Sequence, residues 1–187
     1  SPGTLAIASY ALGLDSTGIY YDQPPEDKIV ERIEMEAEKI LTDATAKTSR
    51  FKGKIIPYAS KASAEVTNAL VNQAKNHNIA FEVGITVSSP GFYGPSSRFV
   101  DGLKNTLPNV KGSLSKLDIY GLKVLNMEME SSLLFHLCSQ MEYRAGTICT
   151  VISAPTKSDV IIDYDAAIGN TIDIGLNALV ELNETNK

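Results

Sequence analysis

Cysteine, histidine and long apolar runs are scarce in this chain. Only two of its 187 residues are cysteine and two are histidine. No apolar run reaches the ~18 residues that would span a bilayer, so no membrane partner is expected. Cys138 and Cys149 lack metal-ligand spacing and lie in apolar runs. They read as buried free thiols of a reducing, cytoplasmic compartment, with no metal and no disulfide. Positive charge is also short: 17 Lys and Arg stand against 22 Asp and Glu, for a net charge of -5. That balance leaves no basic footprint and argues against nucleic acid as a partner. Ser1-Pro2-Gly3 has neither the charged start nor the apolar core of a signal peptide. With no initiator methionine and a strand almost at once, the chain reads as the C-terminal part of something longer. Repeats and linkers are absent too. What remains is 43% hydrophobic and 21% charged, the composition of a globular protein with residues enough for one full core.

Periodicity supplies the elements. Thr4 to Leu12 reads as a buried strand closed by Gly13, Leu14 to Pro25 as a loop, and Glu26 to about Ala46 as an amphipathic helix. Lys54 to Ala59 is a weaker strand, because it contains Pro57. A helix is expected from Ser63 to about Lys75, ended by Asn76-His77-Asn78, with His77 on the surface. Phe81 to Ser89 is a strong strand, Asp101 to Gly112 is irregular, and Ser113 to Tyr120 reads as a short helix closed by Gly121. After the strand Lys123 to Glu130, Ser131 or Ser132 is expected to cap a helix with Leu133, Leu134, Leu137, Cys138 and Met141 on one face. His136 within it is expected to be packed or partly exposed. Ala145 to Ser153 reads as a strand buried on both faces, and Asp165 to about Leu182 as a closing helix with Ile168, Ile172, Leu176, Leu179 and Val180 in register. Alternating strands and helices predict an α/β fold: a three-layer α/β/α domain around a mixed sheet.

Two stretches carry chemistry. In Asn126-Met127-Glu128-Met129-Glu130 the strand period puts Asn126, Glu128 and Glu130 on one face and Met127 and Met129 on the other. Paired carboxylates ~7 Å apart on one strand face suit a ligand with adjacent hydroxyls, since a carboxylate only accepts hydrogen bonds and a diol donates two. The plain alternative is a solvated edge strand with Glu130 at the positive end of the next helix. The second stretch, Pro90-Gly91-Phe92-Tyr93-Gly94-Pro95-Ser96-Ser97-Arg98, follows a strand directly. Its aromatic faces suit a planar base and its arginine supplies donors to carbonyl oxygens. Its plain alternative is a turn whose aromatics pack on the core.

Asn126-Met127-Glu128-Met129-Glu130-Ser131 resembles the EMES signature of the nucleoside phosphorylase-I superfamily, especially its uridine phosphorylase branch. Val83-Gly84-Ile85-Thr86-Val87-Ser88-Ser89, then Phe92-Tyr93 and Arg98, resembles that branch's VGxTxSSxxFY...R segment. The match covers about residues 80 to 155. The resemblance implies a nucleoside phosphorylase fold and cleavage of an N-glycosidic bond, with inorganic phosphate as co-substrate and no cofactor or metal. It also implies a homo-oligomer, a dimer or hexamer, which could include a longer homologous chain. By position it assigns Glu128, Met129 and Glu130 to the ribose, with Glu130 gripping both hydroxyls. Phe92, with Tyr93 beside it, would cover sugar and base, Ser96 falls at a base-reading position, and Arg98 would polarise uracil. Arg98 and Glu130 are the expected catalytic residues.

Three features depart from the pattern. Ser96 stands where the branch usually has glutamine, and Ala154-Pro155 where it commonly has Asn-Arg. Nothing matches the family's phosphate loop. A purine-directed or relaxed phosphorylase, a nucleosidase, and a degenerate nucleoside-binding or partner subunit therefore stand beside the uridine reading.

Overall fold

A computed structural model of the chain describes residues 2–22, 26–45, 50, 52–96, 98, 100–104, 109–152 and 163–184. Ala154-Pro155 lies outside them. The strands are β1 (Leu5–Gly13), β2 (Tyr58–Lys61), β3 (Phe81–Ser88), β4 (Asp118–Ile119), β5 (Leu122–Glu128) and β6 (Ile148–Thr150). The helices are α1 (Lys28–Thr45), α2 (Ala64–Asn76), α3 (Val110–Leu114), α4 (Ser131–Gln140) and α5 (Tyr164–Glu184). One turn of 3-10 helix, Thr17–Tyr20, lies between β1 and α1.

The strands form one mixed sheet in the order β2-β1-β3-β5-β4, with β6 also paired to β1. β1, β3 and β5 run parallel, whereas β2 and β6 are antiparallel to β1. The expected three-layer α/β/α arrangement around a mixed sheet is what the chain forms.

Two bulges decide which residues share a face. Ala8 and Tyr10 pair with consecutive residues of β3, leaving Ser9 extra, and Val124 and Asn126 do the same, leaving Leu125 extra. One face then carries Leu5, Ile7, Tyr10, Leu12, Ile85 and Val87. Leu5 and Ile7 pack with α2 and α5, and the other four pack with α1 and α3. The opposite face carries Ala8, Ala11, Gly84, Thr86, Ser88, Asn126 and Glu128. Ala8 and Ala11 meet Phe135 of α4 there. Gly84 is required: a Cβ would lie 2.6 Å from the Lys123 carbonyl and 3.0 Å from Leu125.

Several local expectations are corrected. The second strand begins at Tyr58, after Pro57, whose missing N–H cannot join a ladder. Ser113 to Tyr120 is not a helix. α3 ends at Leu114, and Tyr120 (φ 54°) and Gly121 (φ 90°) form the tight turn of the β4–β5 hairpin. The strand expected over Ala145 to Ser153 shrinks to three half-buried residues paired on β1. α4 buries Ser131, Ser132, Phe135 and His136, while Leu134 and Met141 of the expected face are exposed. In α5 the buried stripe is Ile174, Ala178 and Leu182; Ile172, Leu176, Leu179 and Val180 are exposed. Both cysteines are free thiols, half buried. Among the described residues no helix is long and apolar enough to cross a membrane.

Candidate nucleoside site

The loop after β3 and the turn after β5 leave the carboxyl ends of neighbouring parallel strands, the place where open α/β sheets hold ligands. A cavity of about 640 Å³ opens there and extends to the amino ends of β1 and β3, where Leu5, Ala6 and Glu82 line it. Phe92, Ser96 and Arg98 line it from one side, and Asn126, Met127, Glu128 and Met129 from another. Two stretches about thirty residues apart in sequence thus meet at one cavity. Tyr93 and Glu130 of the expected set are outside the lining, each next to a residue or stretch that belongs to it.

Arg98 lies over the Phe92 ring, with its guanidinium carbon 3.9 Å from the ring centroid. Tyr93 meets Phe92 edge-on, at 5.2 Å between centroids and 90° between planes. The Arg98 N–H donates to the Tyr93 carbonyl at 2.9 Å, closing the loop. A cation–π contact at an exposed site is worth about 0.5–1 kcal/mol, so moving the arginine off that face costs little. Ser96 is committed to the loop: its hydroxyl donates to the Gly91 carbonyl at 2.9 Å and shares a hydrogen bond of 3.0 Å with Ser89 Oγ.

The two acids differ. Glu128 Oε1 accepts the Ser88 hydroxyl at 2.5 Å. Its Oε2 accepts the Glu130 and Ser131 N–H groups, both at 2.8 Å, and the Ser131 hydroxyl at 3.0 Å. Four donors meet the roughly four lone-pair sites a carboxylate offers. Glu130 holds one longer bond, from the Met129 N–H at 3.3 Å, and is otherwise exposed. The strand ends at Glu128, so the alternation expected to place Glu130 on its face stops short. Glu130 occupies the N-cap of α4, in place of Ser131 or Ser132, yet its own side chain makes no cap bond. Glu128 supplies that cap from two residues back, and Ser88 Oγ accepts the next helical N–H, that of Ser132, at 2.9 Å.

Periodicity alone missed the wall built by β6 and α5, which adds Cys149, Thr150, Ile152 and Ile168 to the cavity. The pairing of β6 on β1 brings it there, a long-range event without a local signal. Burial pushes the Cys149 thiol up from its ordinary value, with the negative field of Glu128 adding to the effect. His77 is exposed, as expected, and hydrogen-bonded to the Gln73 carbonyl. His136 is fully buried, with Nδ1 3.3 Å from Ser60 Oγ.

Comparison with known proteins gives this cavity its context. The phosphorylase superfamily model matches residues 1–179, and the chain belongs to that superfamily. It is 35% identical to a uridine phosphorylase of Haemophilus influenzae over 65% of this chain and 48% of that protein. With a uridine phosphorylase of Escherichia coli the figures are 32%, 56% and 41%. A DeoD-type purine nucleoside phosphorylase of Dichelobacter nodosus is 26% identical over 75% of this chain and 53% of its own length. A Trypanosoma brucei nucleoside phosphorylase, described as showing uridine phosphorylase activity, superposes with a TM-score of 0.81 at 26% identity. That superposition covers 97% of this chain and 59% of the trypanosomal one. The chain spans about half the length of the curated relatives it matches.

Proposed function

We propose that this chain carries the sugar- and base-binding part of a uridine phosphorylase-like pentosyltransferase. Its reaction is phosphorolysis of uridine or a related nucleoside to free base and (deoxy)ribose 1-phosphate. The observation that carries the reading is the cavity lined jointly by the Phe92–Arg98 loop and the Asn126–Met129 stretch at the end of β5. In this reading Glu130 accepts hydrogen bonds from the 2′- and 3′-hydroxyls and Met129 underlies the sugar. Phe92 stacks on the ligand. A phosphate oxygen bonds to C1′ as the C1′–N bond breaks, and the bonding pair leaves with the base. Arg98 faces the charge that builds on the base carbonyls, a stabilisation realised in the transition state.

Inorganic phosphate is the co-substrate and no organic cofactor takes part. In this reading the phosphate site is formed by residues other than those named above. It is supplied in the same polypeptide or by a longer homologous subunit of an oligomer. The test is phosphate-dependent release of uracil by the complete protein. Glu130→Ala is expected to lower kcat/KM by about 10²-fold, the scale of a lost positioning contact. Unchanged activity would show the ribose role to be wrong, and full-rate release without phosphate would point to a nucleosidase.

A specific observation favours a second reading, relaxed base specificity. With Ser96 committed to Gly91 and Ser89, no side chain at that position presents an amide to the uracil edge. A site that reads a base by hydrogen bonds rejects analogues far better than one that reads it by stacking. A panel of ribonucleosides, uridine, 5-methyluridine and inosine, separates the two readings: comparable rates on all three support relaxation, and strong preference for uridine refutes it.

A further inference from the structure

Behind Glu128 a line of buried hydroxyls runs away from the cavity. Ser88 is 2% exposed and Ser132 1%. Ser88 donates to Glu128 Oε1 and accepts the Ser132 N–H. Ser132 Oγ is 2.9 Å from the hydroxyl of Tyr58, itself 2% exposed. The Tyr58 ring is wedged between two glycines five residues apart, since a Cβ at Gly13 or at Gly18 would overlap it. Its other neighbour is the edge of the His136 ring, at 5.7 Å between centroids and 82°. Four separate segments, at Gly13, Tyr58, Ser88 and Ser132, therefore converge behind one carboxylate. That carboxylate in turn holds the Glu130 and Ser131 N–H groups.

We infer that Tyr58, Ser132 and Ser88 are positioning residues for the sugar grip. They lock Glu128 as a scaffold carboxylate, and Glu128 fixes the backbone from which Glu130 reaches the ligand. This inference rests on the diol reading of Glu130 given above. Its physical basis is that a catalytic or binding group is only as well placed as the shell that holds it. A satisfied buried network rigidifies, and removing one member leaves its partner's polar group buried and unpaired. Glu128 thereby acts on the ligand through Glu130.

The test compares Tyr58→Phe and Ser88→Ala with the unaltered complete protein. Calorimetry with uridine and with 2′,3′-dideoxyuridine, which lacks the two hydroxyls, supplies the readout. Both variants are expected to lose about tenfold or more in uridine affinity and less than twofold for the dideoxynucleoside. Equal losses for both ligands, or unchanged uridine affinity, overturn the inference. Glu130→Ala separates the two levels. If it leaves the preference for uridine intact, the diol reading itself fails; if it abolishes that preference while the other variants do not, only the positioning role fails. If neither nucleoside binds the unaltered protein, hydrogen exchange decides. The Glu130 and Ser131 amides are expected to exchange at least tenfold faster in Ser88→Ala, with β1 and β3 unchanged, and equal rates would refute the lock.

Discussion

Glu128 and Glu130 stand two residues apart and differ in what their oxygens are free to do. Four internal donors hold Glu128, whereas a single N–H at 3.3 Å engages Glu130. Sequence spacing treats them as equals; the end of β5 at Glu128 separates them. Gly13 makes the same point through the absence of a side chain. A Cβ there would overlap the Tyr58 ring and come within 2.8 Å of Ser132 Oγ. Gly13→Ala is therefore expected to destabilise the chain by about 1–3 kcal/mol, the usual cost of overpacking. The cost should largely vanish when Tyr58→Ala has already removed the ring. Chemical denaturation of the two single variants and the double variant reads the coupling, and strictly additive costs would mean that the ring does not fill this space.

At the scale of elements, the helices divide by how many apolar stripes they carry. α1 has one, and its buried apolar residues Val30, Ile33, Ala37 and Leu41 all fall at the helical spacing of the sequence. α5 has two stripes of the same period, offset by two residues, and periodicity cannot say which meets the sheet. The structure buries Ile174, Ala178 and Leu182 against Leu5, Ile7 and Leu70. Ile174→Ala should then cost about 2–5 kcal/mol, as for other buried isoleucines. Leu176→Ala, at a residue 57% exposed, should stay within about 0.5 kcal/mol. Thermal melts of both variants check this, and the reverse ranking would put the helix in the other register. α4 misled for a different reason. It lies on the small, polar face of the sheet and buries two serines and a histidine beside Phe135, so its leucines and methionine do not mark its inner side. Bulges at Ser9 and Leu125 shift the face assignments in β1 and β5, and no residue pattern announces them. The alternation of strands and helices was legible except at Ser113 to Tyr120, where the β4–β5 hairpin replaces the expected helix, and the Phe92–Arg98 and Glu128–Glu130 stretches stood out as well. The hydroxyl line from Tyr58 to Ser88 was not, because it joins residues far apart in the chain.

The whole molecule divides its labour between the two faces of one sheet. Large apolar side chains on one face carry the core with α1, α2, α3 and α5. Small and polar residues on the other leave room for the cavity and for α4. That second face makes stability sensitive to pH through His136. Burial lowers its pKa below the ordinary 6.5, with the nearby Asp22 backbone only partly opposing. Its Nε2 has no hydrogen-bond partner of full geometry among the described residues. A depressed histidine binds fewer protons in the folded than in the unfolded chain, so stability falls as pH drops below about 6.5 and goes on falling until the folded-state pKa is passed. Two carboxylates act lower on the scale. Burial raises Glu34 above its ordinary 4.5, which favours the folded state as pH falls and opposes His136. At Asp27 burial works upward but is outweighed by the Lys61 ammonium and the Ile29 and Val30 N–H groups. Its net pKa is lowered, and its stabilisation is lost only below about its ordinary 3.8. Between pH 7.5 and 5.5 the histidine should therefore govern. The melting temperature of the unaltered protein is expected to fall across that interval, and His136→Gln, which has nothing to titrate there, should fall markedly less. Parallel pH profiles for the two proteins would remove His136 as the cause.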